Sequence, residues 1–398
     1  MLVVGLARSG KAASAALERR GVDVVGADRK YGNDADVSLL EGVGLLVKSP
    51  GVPGEAPLVL EARRRGIPVW SEIELGARLL PEALIVGVTG TNGKTTTAEL
   101  LGFVLDAPVA GNVGRALCEL DGLVDPGRPV VCEMSSFQLE DIHELRPRVA
   151  ILLNLEPDHL DRHDGFDAYR AAKLRVFENQ HADDTAVVPR GFGATPGHGR
   201  RQEFAWDDPL PAEPRIPGVH NRENAAAATA AARALGAADD RIAYALREFP
   251  GVAHRLELVA ECGGVRYVND SKATNVASAR RALEAYAAEP VQLILGGSRK
   301  NEDFGPLRDA IGPNVEAIYL IGETADELAV ALPDAIRAGD LGTAVASAAG
   351  ASRPGSVVLL SPACASFDQF ENFEERGEEF RRLVENLEVC GGASKAMS

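Results

Sequence analysis

The chain holds 398 residues, enough for two or three domains of ~150 residues, and its 45% hydrophobic content is ample for packed cores. Its 42 basic residues stand against 58 acidic ones, and the net charge of −16 argues against general binding to nucleic acid or to an anionic membrane surface. Five scattered cysteines (Cys118, Cys132, Cys262, Cys364, Cys390) without CxxC spacing suggest neither a disulfide framework nor a zinc site, and they fit a reducing cytoplasm. The chain enters an apolar strand directly, with no signal-type segment, and no apolar run approaches the ~20 residues of a membrane span. Short apolar runs then alternate with helical patterns: 2–5, 22–27 and 44–47; next 84–88, 129–132 and 149–153; finally 264–268, 291–295, 317–321 and 357–360. Such alternation predicts βαβ units and parallel sheets. Breaks near 72–81 and 250–252 divide the runs into three α/β domains, and the Gly-, Pro- and Arg-rich stretch 189–217 reads as a loop or a weak sheet edge.

The second group opens with LIVGVTGTNGKTTTAELL over 84–101, an apolar run that breaks into a glycine loop and then starts a helix. Gly90 and Gly93 permit a tight turn, amides at the helix N-terminus face a polyphosphate, Lys94 reaches terminal phosphates and Thr95 can hold Mg²⁺. Val88 stands where the full pattern has its leading glycine, so the spacing is the shorter GxxGKT, and ATP is the first ligand to expect. The first group carries GLARSG over 5–10, a dinucleotide-type fingerprint in which Ala7 replaces the glycine that lets a pyrophosphate approach closely. A nicotinamide cofactor, a diphosphate-bearing substrate and a plain structural turn all remain open for it.

Ligands in open α/β sheets sit beyond the carboxyl ends of the strands, so the residues after each run matter most. There the chain presents Glu133 with MSSFQLE, Asn154 with LEPDHLDRH, NDSKATN after 268, Gly296 and Gly297 with Arg299 and Lys300, and SPACAS after 360. Glu133 either binds a metal beside the phosphates or pairs with a surface lysine. His159, between Asp158 and Asp161, is either a solvated loop residue or a ligand. Lys173 falls four residues after Tyr169 and four before Phe177, on an aromatic helix face. It either snorkels along that face or lies buried, loses its charge and becomes a nucleophile open to modification.

Taken in order, GLARSG, GTNGKTTT, GNVG, EMSSFQLE, NLEPDHLDR, YRAAKLRVFEN, GVHNREN, AHR, NDSKATN and SPACASFDQFENFEERGEEF resemble the Mur ligases of peptidoglycan synthesis along nearly the whole chain. The resemblance implies an α/β fold of three domains: a Rossmann-like N-terminal domain (1–74), a central P-loop ATPase-like domain with a parallel sheet (75–251) and a Rossmann-like C-terminal domain (252–398). It implies that Arg8, Ser9, Arg29 and Lys30 hold a uridine diphosphate, and that Asn112, Ser135, Gln138 and His159 contact the muramoyl-alanine end. Thr91, Asn92, Gly93, Lys94, Thr95, Thr96 and Thr97 match the phosphate loop, with Asn221, Asn224, Arg255, Asp270 and Lys272 around the rest of ATP. Lys173 matches a lysine carbamylated by CO₂, and Thr274, Lys300, Ser366 and Phe373 match the D-glutamate pocket.

The implied reaction is acyl activation of UDP-N-acetylmuramoyl-L-alanine by ATP, followed by attack of the D-glutamate amine. Lys94, His159 and Lys173 are the implied catalytic residues, and Thr95, Glu133, His159 and the Lys173 carbamate the implied Mg²⁺ ligands. A cytoplasmic monomer without nucleic-acid or membrane partners is expected. GTNGKTT rather than GTNGKGS speaks against the folylpolyglutamate synthases of the same architecture, and the absence of an NPR triplet against the ligase that adds the third peptide residue. The stretch between His181 and His220 looks shorter than in familiar members, as if a hairpin were missing.

Overall fold

Three sheets organise residues 1–158, 162–299 and 303–387, the residues described by this computed structural model. Two of them lie in one compact unit, Met1–Arg215 with His220–Phe249, and the third in a second unit formed by Ile216–Val219 and the residues from Pro250 on.

The first sheet contains β1 (Leu2–Val4), β2 (Val25–Ala27), β3 (Leu46–Lys48) and β4 (Val69–Ser71), all parallel in the order β2-β1-β3-β4. Every residue of β1 and β3 is buried, as parallel strands covered on both faces require. Helix Arg8–Arg19 covers one face with Ala12, Ala13, Ala16 and Leu17, small residues that let it approach closely.

The second sheet contains β5 (Leu84–Thr89), β6 (Val109–Gly111), β7 (Pro129–Glu133), β8 (Val149–Leu152), β9 (Thr185–Pro189) and β10 (Arg200–Phe204). All are parallel in the order β10-β9-β8-β5-β7-β6. Because β7 and β8 flank β5, the segments after these three strands emerge side by side at one edge, where a ligand is expected. Strand β10 lies within the stretch read as loop or weak edge: it is the outermost strand, and of its five residues only Phe204 is buried.

Helix Glu72–Leu79 joins the two sheets and buries two carboxylates completely. Glu74 is pulled up by burial, but the amides of His143, Glu144 and Leu145 and the Arg78 guanidinium outweigh that and hold it below the usual range. Glu72 accepts the Cys118 amide at 2.7 Å with Oε1, but desolvation outweighs its hydrogen bonds and pushes it up to about 7.

In the second unit β11 (Glu257–Cys262), β12 (Val265–Asn269), β13 (Val291–Gly296), β14 (Val315–Ile321), β15 (Ile336–Gly339) and β16 (Val357–Leu360) run in the order β11-β12-β16-β13-β14-β15. Only β11 is antiparallel to its neighbour. It turns into β12 through Gly263 and Gly264, both with positive φ, the two-residue hairpin that glycine favours. Cys118, Cys132 and Cys364 are buried free thiols, whereas Cys262 is disulfide-bonded, which scattered spacing gave no reason to expect. Among the described residues no helix is long and apolar enough to cross a membrane.

Candidate active site

Strand β5 ends at Thr89, whose hydroxyl donates to the Met134 carbonyl, and the chain turns through Gly90 to Gly93 into helix Lys94–Leu105. Gly93 caps that helix with φ +82°, and a Cβ there would lie 2.2 Å from Asn224 Oδ1. The loop is clamped from outside. The Asn92 amide donates to Asn154 Oδ1 at 2.8 Å, Asn154 Nδ2 returns a bond to the Asn92 carbonyl, and Asn92 Nδ2 reaches Glu156. Thr91 Oγ1 accepts the Glu156 amide and lies 3.0 Å from the Tyr169 hydroxyl. A loop fixed this way keeps its amides pointing into the turn, as an anion cradle needs. Thr95, Thr96 and Thr97 are buried at the start of the helix.

Lys173 comes from helix Gly165–Leu174 and is 2% exposed, so it does not snorkel. Its Nζ donates to the Gly90 carbonyl at 2.9 Å and sits 4.7 Å from the Tyr169 ring centroid. Lys94 Nζ donates to the same carbonyl at 2.9 Å and to that of Thr91. Burial, reinforced by Lys94, lowers the Lys173 ammonium to about 7, so near neutral pH a substantial fraction is free amine.

Glu133, at the end of β7, is buried, and its Oε1 accepts from Asn112 Nδ2 at 3.0 Å rather than from a surface lysine. Ser135 caps the short helix Ser136–Leu139 in a capping box with Gln138, whose fully buried Nε2 has no hydrogen-bond partner among the described residues. His159 lies outside the described residues. Nearby, His163 is buried, stacked on Phe137 and edge-on to Tyr169. The histidine chosen from sequence was His159, four residues earlier in the same LEPDHLDRH segment; the packing of His163 against two aromatics is a tertiary feature with no local pattern.

A cleft of about 810 Å³ opens beside these residues at the carboxyl ends of β1 to β3. Arg8, Ser9, Arg29 and Asn112 line it, and so does Arg162, which the sequence reading passed over; Lys30 does not. Asp28 Oδ2 accepts the Leu6 amide at 2.5 Å and Oδ1 the Lys30 amide at 2.8 Å. Those backbone bonds hold Asp28 below the usual carboxylate range. Both oxygens of the acid that would grip a dinucleotide ribose are thus spent on backbone, against the nicotinamide alternative for GLARSG.

In the second unit, Asp270 follows β12 and is almost completely buried; desolvation pushes it up to about 7, although Ser361 Oγ donates to it at 2.8 Å. Arg255 and Leu256 precede β11 in a tight bend with positive φ at His254 and Leu256. Lys272 Nζ lies 5.7 Å from the Phe373 ring, at the start of helix Phe373–Glu385. Thr274 donates its amide to the Lys272 carbonyl, and Ser366 is buried beside the bridge that joins Ser298 to Ala365. Fully buried Arg376 binds the Ser271 hydroxyl and the carbonyls of Ser271, Cys364 and Ala365, tying together the segments that bear these residues. Sequence reading missed Arg376 because it stands in a helical pattern dense with charge. Lys300 lies outside the described residues. Asn221 and Asn224 are buried on helix Val219–Ala234, and Asn224 is packed against Gly93.

Residues 88–192 match the Mur ligase middle domain and residues 254–364 the Mur ligase glutamate ligase domain. The UDP-N-acetylmuramoylalanine--D-glutamate ligase of Anaeromyxobacter dehalogenans is 44% identical over 96% of this chain and 96% of its own. That of Acidobacterium capsulatum is 41% identical over 96% and 95%. Among solved structures, the UDP-N-acetylmuramate-alanine ligase MurC of Thermotoga maritima superposes with a TM-score of 0.59 at 19% identity, over 96% of this chain and 98% of that one.

Proposed function

The chain belongs to the Mur ligase family, and from that premise we propose that it joins D-glutamate to UDP-N-acetylmuramoyl-L-alanine, cleaving ATP to ADP and phosphate, as a cytoplasmic monomer in peptidoglycan precursor synthesis. The observation that carries the reading is the pair Lys94 and Lys173, both donating to the Gly90 carbonyl inside a clamped phosphate loop.

Lys94 exchanges its carbonyl partners for phosphate oxygens, and with the amides after Gly93 it stabilises charge that builds on the transferred phosphoryl group. The alanyl carboxylate attacks that phosphorus and the bond to ADP breaks; the D-glutamate amine then attacks the acyl phosphate and phosphate leaves. Arg8, Ser9 and Arg29, which line the cleft, hold the uridine diphosphate, with Lys30 at its margin, and Asn112, Ser135, Gln138 and His159 orient the muramoyl-alanine end. Asn221, Asn224, Arg255, Asp270 and Lys272 hold the remainder of ATP, and Thr274, Lys300, Ser366 and Phe373 hold D-glutamate.

Mg²⁺ fits the donors present. The described residues hold no ready-made cluster of three His, Cys, Asp or Glu, but Thr95 and Glu133 offer hard oxygens, and Mg²⁺ typically takes one or two carboxylates together with phosphate and water. When bound, it supplies neutralisation of phosphate charge. Lys173 contributes a second acid: its neutral amine adds to CO₂, an N–C bond forms and one proton leaves, giving a carbamate that, with His159, would offer ligands to a second Mg²⁺.

Purified protein should release phosphate and ADP only when both UDP-N-acetylmuramoyl-L-alanine and D-glutamate are present, and L-glutamate should not replace D-glutamate. Release of AMP and pyrophosphate, or turnover with L-glutamate, overturns the reading.

A further inference from the structure

Lys48 ends β3 and is 1% exposed, a costly place for an ammonium unless nearby carboxylates compensate. Asp141 Oδ2 lies 2.7 Å from its Nζ and Glu140 Oε2 3.5 Å. Asp141 has a second cation, Arg63, at 2.7 Å. Glu140 depends more on Lys48: burial raises its carboxyl, Lys48 is the strongest influence in the other direction, and Asp141 and the more weakly felt Arg162 also act on it.

The other oxygen of Glu140 lies 3.3 Å from His163 Nδ1, while His163 Nε2 lies 2.9 Å from Ser136 Oγ. An ionised carboxylate can only accept, so Nδ1 then carries the ring proton and Nε2 accepts from the serine hydroxyl. If Glu140 became a neutral acid, its O–H would donate to Nδ1 and the ring proton would move to Nε2. The ring stacks on Phe137, whose ring also carries the Arg162 guanidinium at 4.6 Å. It is edge-on to Tyr169, 5.3 Å between centroids, and the Tyr169 hydroxyl meets Thr91 of the phosphate loop. Its chain neighbour Arg162 lines the substrate cleft, as do the residues directly after Lys48, Ser49 to Pro53.

We infer that Lys48 is a positioning residue: by presenting Glu140 as an acceptor it selects the Nδ1–H tautomer of His163, and so sets the pose of Arg162 at the cleft and Tyr169 at the phosphate loop. The kinetic consequence rests on the ligase reading above; the tautomer does not.

The test therefore has two arms. Nitrogen-15 spectra of the imidazoles in the ligand-free full chain, with His163 identified by its loss in His163→Gln, should show the Nδ1–H pattern in the unsubstituted protein. They should show the Nε2–H pattern in Lys48→Met and the original one in Lys48→Arg. In ligase assays Lys48→Met should lose about 10-fold in kcat, the lower range for disturbed site support. KM for D-glutamate, measured on the folded fraction, should stay unchanged, and Lys48→Arg should recover most of the rate. An Nε2–H pattern in the unsubstituted protein, an unaltered tautomer in Lys48→Met, or a rate loss that only tracks loss of folded protein overturns the inference. If the unsubstituted protein makes no D-glutamate-dependent phosphate, the ligase reading fails and the tautomer arm alone decides for Lys48.

Discussion

Two ionisable side chains of the first unit lie where water cannot reach them, and their protonation follows from that. Lys173, lowered to about 7, is mostly neutral at pH 8, where an ordinary lysine near 10.4 is almost wholly charged. Only the amine adds CO₂, so carbon-13 bicarbonate should give a carbamate signal that grows as pH rises through about 7 and is absent in Lys173→Arg. Lys173→Ala should lose roughly 100-fold in turnover, the upper range for lost metal-site support, and recover partly with formate or acetate. Near-normal turnover without CO₂ would remove the carbamate from the mechanism. Glu72 behaves in the opposite sense. Its folded value of about 7 lies above the unfolded value near 4.3, so the folded state holds the extra proton. Stability is greatest below pH 4 on this account and is lost as pH rises to about 7, by roughly 3 kcal/mol at 1.36 kcal/mol per unit. Glu72→Gln should accordingly raise the thermal midpoint at pH 8 and leave it unchanged at pH 4. Neither burial was legible locally: the helical spacing of Lys173 allowed snorkelling as readily as burial, and Glu72 stands in an ordinary acidic first turn.

At the scale of elements, the phosphate loop was legible because its glycines announce a backbone shape that other residues resist. Gly93→Ala must strain a positive φ and also push into Asn224, 2.2 Å away, so nucleotide affinity should fall at least about 10-fold. Gly191 has a similar φ of +75° and nothing within 4 Å, so Gly191→Ala should cost about 1 kcal/mol of stability and leave nucleotide affinity intact. Equal effects of the two in a nucleotide titration would mean that the Asn224 contact does not matter. The long apolar strands were readable from their runs. Strands β4 and β6 were not: each is a three-residue edge strand with a single paired neighbour, too short to show a pattern of its own. β15 and β10 escaped because edge strands keep polar or exposed residues, and β11 because its alternating exposure interrupts any apolar run.

Across the whole molecule, the two units carry separate cores, and the cleft lined by Arg8 and Arg29 belongs to the first. Denaturation followed by calorimetry should resolve two transitions. UDP added at about 100 times its dissociation constant should stabilise only the first unit, by about 2.7 kcal/mol. A shift of the other transition would relocate the diphosphate site. The excess of acid, −16 overall, was plain in composition, but it did not foretell that the cleft of the first unit would gather Arg8, Arg29 and Arg162 from distant parts of the chain.

The carbonyl of Gly90 accepts from two lysine Nζ atoms at once, Lys94 and the weakly basic Lys173, and the charge of the site depends on both. If the neutral amine of Lys173 takes up CO₂ and sheds a proton, a neutral donor becomes a negative acceptor, one added negative charge beside a loop meant for a polyanion. ATP and the carbamate then repel each other, and a bound divalent cation would lessen that repulsion. Magnesium, nucleotide and CO₂ should therefore be taken up as a linked set: raising Mg²⁺ at fixed ATP should increase carbamate occupancy, while ATP without Mg²⁺ should drive CO₂ off. The enzyme would thus register dissolved inorganic carbon through the metal it uses to bind its fuel.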